Sequence, residues 1–280
     1  MATWVIAQLT FREAARRKIL WAALILGVAF LALYGVGVYF IEKEIARSMT
    51  SASRYEVAAR ETHSFLLMAG LYVVNFLVIM MTVLTSVDTL AGEIASGTIQ
   101  AVVTKPLRRY EIVLGKWLGF AAMLILYIVL MGGGVAVVMV ALTRYVAPGL
   151  ATGLSLMVLE GLTLLCVCLL GGTSLSTLAN GVLAFGLYGL AFVGGWIEQI
   201  GSLLHNETAV NIGILSSLLM PSEALWKRAA HEMQSSLTAS IGMSPFASTS
   251  VPSPAMIAYA GLYIAVMLGL ALRLFSRRDL

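Results

Sequence analysis

Six long apolar stretches alternate with shorter polar ones along the chain: Ile19 to Phe40, Ser64 to Val87, Trp117 to Leu142, Leu154 to Leu178, Val182 to Ile200 and Ala255 to Phe275. Crossing a hydrocarbon core takes about 20 mostly apolar residues in a helix, because every backbone N–H and C=O must be paired inside the segment. The pattern therefore predicts an all-α polytopic membrane protein, one transmembrane domain over residues 1–280 with six transmembrane helices. Only Ala179-Asn180-Gly181 separates the fourth stretch from the fifth. Asn-Gly is a strong turn signal, so a tight helical hairpin is expected there.

The polar intervals carry their own expectations. Residues 41–63 balance their charges and suit a polar helical extension. In the longer interval 201–254, Ser222 can cap a short helix with Leu225, Trp226, Ala229 and Met233 on one flank, as in a helix lying at the lipid interface. The Ser/Pro-rich stretch that follows, residues 244–254, is expected to be extended.

Composition agrees with the membrane assignment. Of 280 residues, 60% are hydrophobic and only 11% charged, and the mean hydropathy is +0.92. A water-facing surface would need far more charge. The net charge of +4 matters less than its placement. Arg12, Arg16, Arg17, Lys18, Lys105, Arg108, Arg109, Lys116, Arg273, Arg277 and Arg278 fall on one side of the six-span arrangement. The other side has fewer cations (Lys43, Arg47, Arg54, Arg60, Arg144, Lys227, Arg228) and most of the acids. This bias predicts both termini in the cytoplasm, with residues 41–63 and 201–254 facing outward. The basic N-terminus resembles a signal peptide, but the apolar run after it is of full spanning length and no A-x-A pattern closes it, so a retained first span is expected. Cys166 and Cys168 sit in an apolar run and read as small buried hydrophobes.

Between the second and third stretches lies GEIASGTIQAVVTKPLRRYEIVLGKWLG, residues 92–119. Gly92 and Gly97 bracket four residues, nearly the spacing of a phosphate-cradling loop, yet Thr98 stands where that loop needs its lysine, and no strand precedes it. Nucleotide binding by this chain is excluded. Helical periodicity instead puts Glu93, Ser96, Gly97, Gln100 and Thr104 on one face and Ile94, Ala95, Ala101 and Val102 on the other, an amphipathic helix that Pro106 stops. Taken alone, such a helix fits docking onto a partner and resting on lipid headgroups equally well.

The order of residues adds a resemblance. Glu93, Gly97-Thr98, Lys105-Pro106, Arg109 and Gly115-Lys116, with a basic N-terminal stretch, six spans and a large outward interval before the last, resemble the permease subunits of ABC-2 type ATP-binding cassette exporters. The likeness is greatest to the group of the nitrous-oxide-reductase maturation and gliding-motility permeases. It implies a coupling helix that seats in a separate ATP-binding subunit, with Glu93, Gly97, Thr98, Lys105, Pro106 and Arg109 as docking residues. It also implies a second permease copy, identical or related, and no catalysis, cofactor, metal or nucleic acid in this chain. Residues 3–18 would be the family's interfacial elbow helix, in which Glu13 and Arg17 have the favourable i,i+4 order, although a plain basic anchor fits equally well.

Two intramembrane polar residues stand out. Glu160 lies inside the fourth stretch, where a carboxylate costs about 3 kcal/mol unless paired or protonated. A place on a translocation path and a place near the outer interface both remain open for it. Asn75 in the second stretch suits an interhelical hydrogen bond better than a substrate contact, although both residues are candidates for the path. Gly132-Gly133-Gly134, Gly171-Gly172, Gly194-Gly195 and the pair Gly115 and Gly119 are read as sites of close helix packing. Two other functions compete. An intramembrane protease would need a histidine facing Ser174, and His63, His205 and His231 all fall in or beside the outward intervals. A scaffold without transport is separated from a permease only by whether it binds an ATPase.

Overall fold

The computed structural model describes residues 2–48, 52–97, 108–234 and 251–278. Among these residues the chain forms nine helices and no strands: α1 (Ala2–Arg16), α2 (Lys18–Ser48), α3 (Ala52–Ala95), α4 (Arg109–Thr143), α5 (Leu150–Gly172), α6 (Thr177–Leu203), α7 (Glu207–Leu219), α8 (Ser222–Met233) and α9 (Ala255–Arg277). Six of them, α2 to α6 and α9, are long and apolar enough to cross a membrane. The polar helical extension expected over 41–63 is present, since α2 runs to Ser48 and α3 begins at Ala52. His63 Nε2 and Glu42 Oε2, 2.6 Å apart, tie the two extensions together.

Burial ranks the helices. The most apolar stretches of α3 and α5 are 67% buried inside the protein, against 11% for α2 and 17% for α9. The first two form the centre, and the last two turn residues such as Ile25, Leu33, Leu262 and Val266 outward. In a bilayer that exposure has no solvation cost, because lipid tails are as apolar as leucine.

Helix α1 packs across the first turns of α4. A Cβ at Gly115 would lie 2.6 Å from Ile6 Cβ, and one at Gly119 would lie 2.8 Å from the Ala7 carbonyl oxygen. The two glycines are thus the seat of the N-terminal helix. Ala7, Thr10 and Ala14, at helical spacing, are buried on that seat, while Trp4, Val5 and Leu9 are exposed on the other side. Arg17, at the bend before α2, reaches back to Glu13 at 2.8 Å, the expected i,i+4 pair.

The hairpin between α5 and α6 differs from the sequence expectation. The turn is Thr173-Ser174-Leu175-Ser176, earlier than Ala179-Asn180-Gly181, and Ser176 caps α6 by accepting from the Ala179 N–H. Asn180 is fully buried in the first turns of α6 and donates through Nδ2 to the Cys168 carbonyl at 2.8 Å and the Val87 carbonyl at 3.1 Å. An amide that joins three helices outweighs its local turn preference. Asn180→Ala is expected to lower stability by about 1–2 kcal/mol, read as a fall in the thermal unfolding midpoint in detergent.

The interval after α6 is also built differently from the expectation. Asn206 caps α7 through Oδ1, and α7 returns along α6 with Gly213 against Gly194 and Glu198, and Ala209 against Gly201. Small residues on both helices permit that approach. At Met220-Pro221 the chain bends by 105° into α8. Leu225, Trp226, Ala229 and Met233 are buried as one flank, but so are Ser222, Glu223, Ala224, Lys227 and Ala230 on the others. Helix α8 is therefore enclosed by protein and does not lie on lipid. Its position is fixed by Met233 and Glu232 against Gly153 and Gly149 at the start of α5, and by Trp226, edge-on to Tyr72 at 5.5 Å.

Candidate functional site

The segment with the motif residues hangs between α3 and α4. Helix α3 ends at Ala95, where Ser96 N–H bonds to the Gly92 carbonyl and Gly97 adopts φ +71°, a left-handed cap that glycine takes without strain. Glu93 is accordingly in the last turn of the second span, and Gly97 ends that helix. The expected amphipathic helix does not begin as drawn from periodicity. Thr98, Lys105 and Pro106, with the remainder of that helix, lie outside the described residues. Helix α4 starts at Arg109, where the Arg108 backbone N–H donates to Glu111 Oε2 at 2.9 Å.

Both described charges among the expected docking residues have partners in the chain itself. Lys116 Nζ donates to Glu93 Oε1 at 2.5 Å, with the two side chains 7% and 22% exposed. This pair closes the base of the segment from α3 to α4. Arg109 donates through Nη1 to the carbonyl oxygens of Ser276 and Arg278, and Arg278 donates through Nη1 to the Thr173 carbonyl. The start of α4, the chain's last described residues and the α5–α6 turn are thus tied into one end of the bundle. Asp88 adds a further tie, accepting from Thr177 Oγ1 at 2.9 Å and lying 3.6 Å from Arg17. Asp88 is passed over in the sequence, Asn180 reads as a turn residue, and Arg278 counts toward the basic bias. Lys116 stood in the motif, but nothing local pairs it with Glu93.

The second group of polar residues is buried between α3, α5, α6 and α8. Glu160 is in the middle of α5 with no exposure. Asn75 Nδ2 donates to Glu160 Oε1 at 3.2 Å, the interhelical bond expected of it. On α8, Lys227 Nζ donates to Glu198 Oε2 at 3.1 Å and to the Gly195 carbonyl at 2.9 Å. Glu223, one turn earlier on α8, packs against Gly195 and lies near Lys227 and Glu198. Glu198, Glu223 and Lys227 were not legible as a cluster, because they come from intervals and helix ends that only the bend before α8 brings together.

Ser174 lies in the α5–α6 turn at the basic end, whereas His63 is bonded to Glu42 where α2 and α3 extend beyond the other end. The two do not meet as a nucleophile and its base. No curated protein matches the chain. A family model described as ABC-2 family transporter protein matches residues 4–280. The chain belongs to that family and is a permease subunit of an ABC transporter, a multi-pass protein of the plasma membrane.

Proposed function

We propose that this permease is driven by a separate ATP-binding subunit, which docks on the segment between α3 and α4 and whose closure moves a pair of permeases to carry substrate outward. Glu93, Gly97, Thr98, Lys105, Pro106 and Arg109 form or support the docking surface, and the second permease is a copy of this chain or a relative. Both termini lie in the cytoplasm. The observation that carries the proposal is the base of the segment: Glu93 and Lys116 join the ends of α3 and α4, and Arg109 joins α4 to the chain's last described residues. A load applied to the segment reaches three parts of the bundle through short polar contacts. Arg12, Arg16, Arg17, Lys18, Arg108, Arg109, Arg273, Arg277 and Arg278 gather at this same end, as positive-inside placement requires of a cytoplasmic face. The energy of transport then enters through the partner's differential affinity for two permease states.

The test is coexpression with the ATPase encoded beside the gene. The two proteins are expected to copurify in detergent, and Gly97→Val, which strains a left-handed backbone position, is expected to lower the yield of complex while leaving the permease folded. A cysteine placed near position 105 should react with a membrane-impermeant reagent only from the cytoplasm, and one near 248 only from outside. Failure to copurify, with Gly97→Val indistinguishable from the parent, would reject the ATPase-driven reading. Reversed labelling would reject the orientation.

A further inference from the structure

Glu160 is a carboxyl group with half of its hydrogen bonding accounted for. Asn75 Nδ2 occupies Oε1, while Glu160 Oε2 and Asn75 Oδ1 are both buried without a partner. No ion pair reaches Glu160 among the described residues. The groups that face it are Asn75 and Tyr72 from α3, Tyr188 from α6 and Glu223 from α8. Lys227, the cation on the buried side of α8, is committed to Glu198 and the Gly195 carbonyl. On α4 and α9, the tyrosines of the buried core are likewise engaged elsewhere: Tyr127 donates to the Ala23 carbonyl, and Tyr263 points to Met220 Sδ.

Two orphaned oxygens on one hydrogen-bonded pair cannot both be satisfied by turning the amide, because that sets oxygen against oxygen at Oε1 and still leaves an unmatched group. A proton on Glu160 Oε2 resolves both at once. The acid then donates O–H to Asn75 Oδ1 while the amide donates N–H to Oε1, the reciprocal pairing of a carboxylic acid with a primary amide. No third carboxylate or imidazole among the described residues completes a metal-ligand set here.

We propose that Glu160 and Asn75 form a proton-binding site inside the protomer, with the proton on Glu160 Oε2, and that the proton leaves when α3 and α5 move apart. The bond spans the two central helices, so any state that separates them admits water to Glu160. A hydrated glutamate is ionised at neutral pH. Linkage then sets the sign: the packed state binds the proton, so a fall in pH favours this packing and a rise favours the separated one. Neither the site nor its readout depends on the ATPase-driven reading, since the permease alone suffices to test it.

The test is infrared difference spectroscopy of the full chain in lipid nanodiscs at neutral pH, with 13C-carboxyl-labelled glutamate. A protonated carboxyl C=O band is expected that disappears in Glu160→Gln and moves to higher frequency in Asn75→Leu, where the N–H that donates to the C=O is gone. Glu160→Gln copies the protonated acid in shape and is expected to keep the parent's thermal midpoint, whereas Glu160→Ala lowers it. Absence of a Glu160-dependent band would overturn the proposal. So would stabilisation by sodium or potassium chloride, but not choline chloride, that vanishes in Glu160→Gln, because a metal cation would then hold an ionised carboxylate. If Glu160→Gln does not assemble, the Asn75→Leu shift decides, and an unmoved band counts against the pairing.

Discussion

Glu93→Lys is expected to cost about 3 kcal/mol of stability, because it sets a second cation against Lys116, which is only 7% exposed. The loss should appear as a lower thermal midpoint in nanodiscs and as the loss of transport stimulated by the ATPase. The reciprocal double variant, Glu93→Lys with Lys116→Glu, restores opposite charges across the same gap and is expected to recover most of the midpoint. Transport then separates two roles for Glu93. If it serves only as the strut to Lys116, transport returns with stability. If its carboxylate also meets the ATPase, the double variant is stable but poorly coupled. A double variant no more stable than Glu93→Lys would show that the pair is not what joins α3 to α4.

Lys227→Met is expected to have a comparable effect, about 3–5 kcal/mol, at the other end of the bundle. Lys227 and Glu198 are 5% and 8% exposed, so removing the lysine withdraws a cation from a buried carboxylate beside Glu223 and the donor from the Gly195 carbonyl. Helix α8 is held against α6 through these contacts. Its release should raise proteolytic cleavage in the interval after α8 as well as lower the midpoint. Adding Glu198→Leu to Lys227→Met removes the buried carboxylate as well and is expected to regain part of the loss, since an apolar pair can replace a buried ion pair. No recovery in the double variant would locate the lysine's contribution in the Gly195 carbonyl and Glu223 instead.

The spans were legible because lipid imposes one rule on every residue of a crossing helix, and a water-facing helix has no use for about 20 consecutive apolar positions. What escaped the sequence depended on partners far along the chain. Asn180 reads as a turn residue until the carbonyls of Val87 and Cys168 are placed beside it. Helix α8 shows its apolar flank openly, but its charged flank reads as solvent-facing because the carboxylate that takes Lys227 belongs to α6, before a bend of 105°. Glu93 reads as a water-facing residue on a free helix because the lysine it meets sits on the next span. In each case a polar group was assigned to water by local pattern and to another helix by packing.

Helix α3 is one continuous element of 44 residues, from Ala52 to Ala95. At 1.5 Å per residue it is a rod of roughly 65 Å, about twice the thickness of the hydrocarbon core. One tip carries Glu93, its middle carries Asn75, and His63 lies toward the other tip, so the pair with Lys116, the hydrogen bond to Glu160 and the contact with Glu42 all start from a single backbone. Tilting such a rod about its middle moves both tips in opposite directions without unwinding a turn. The longest helix among the described residues is therefore also the one that links these three contacts.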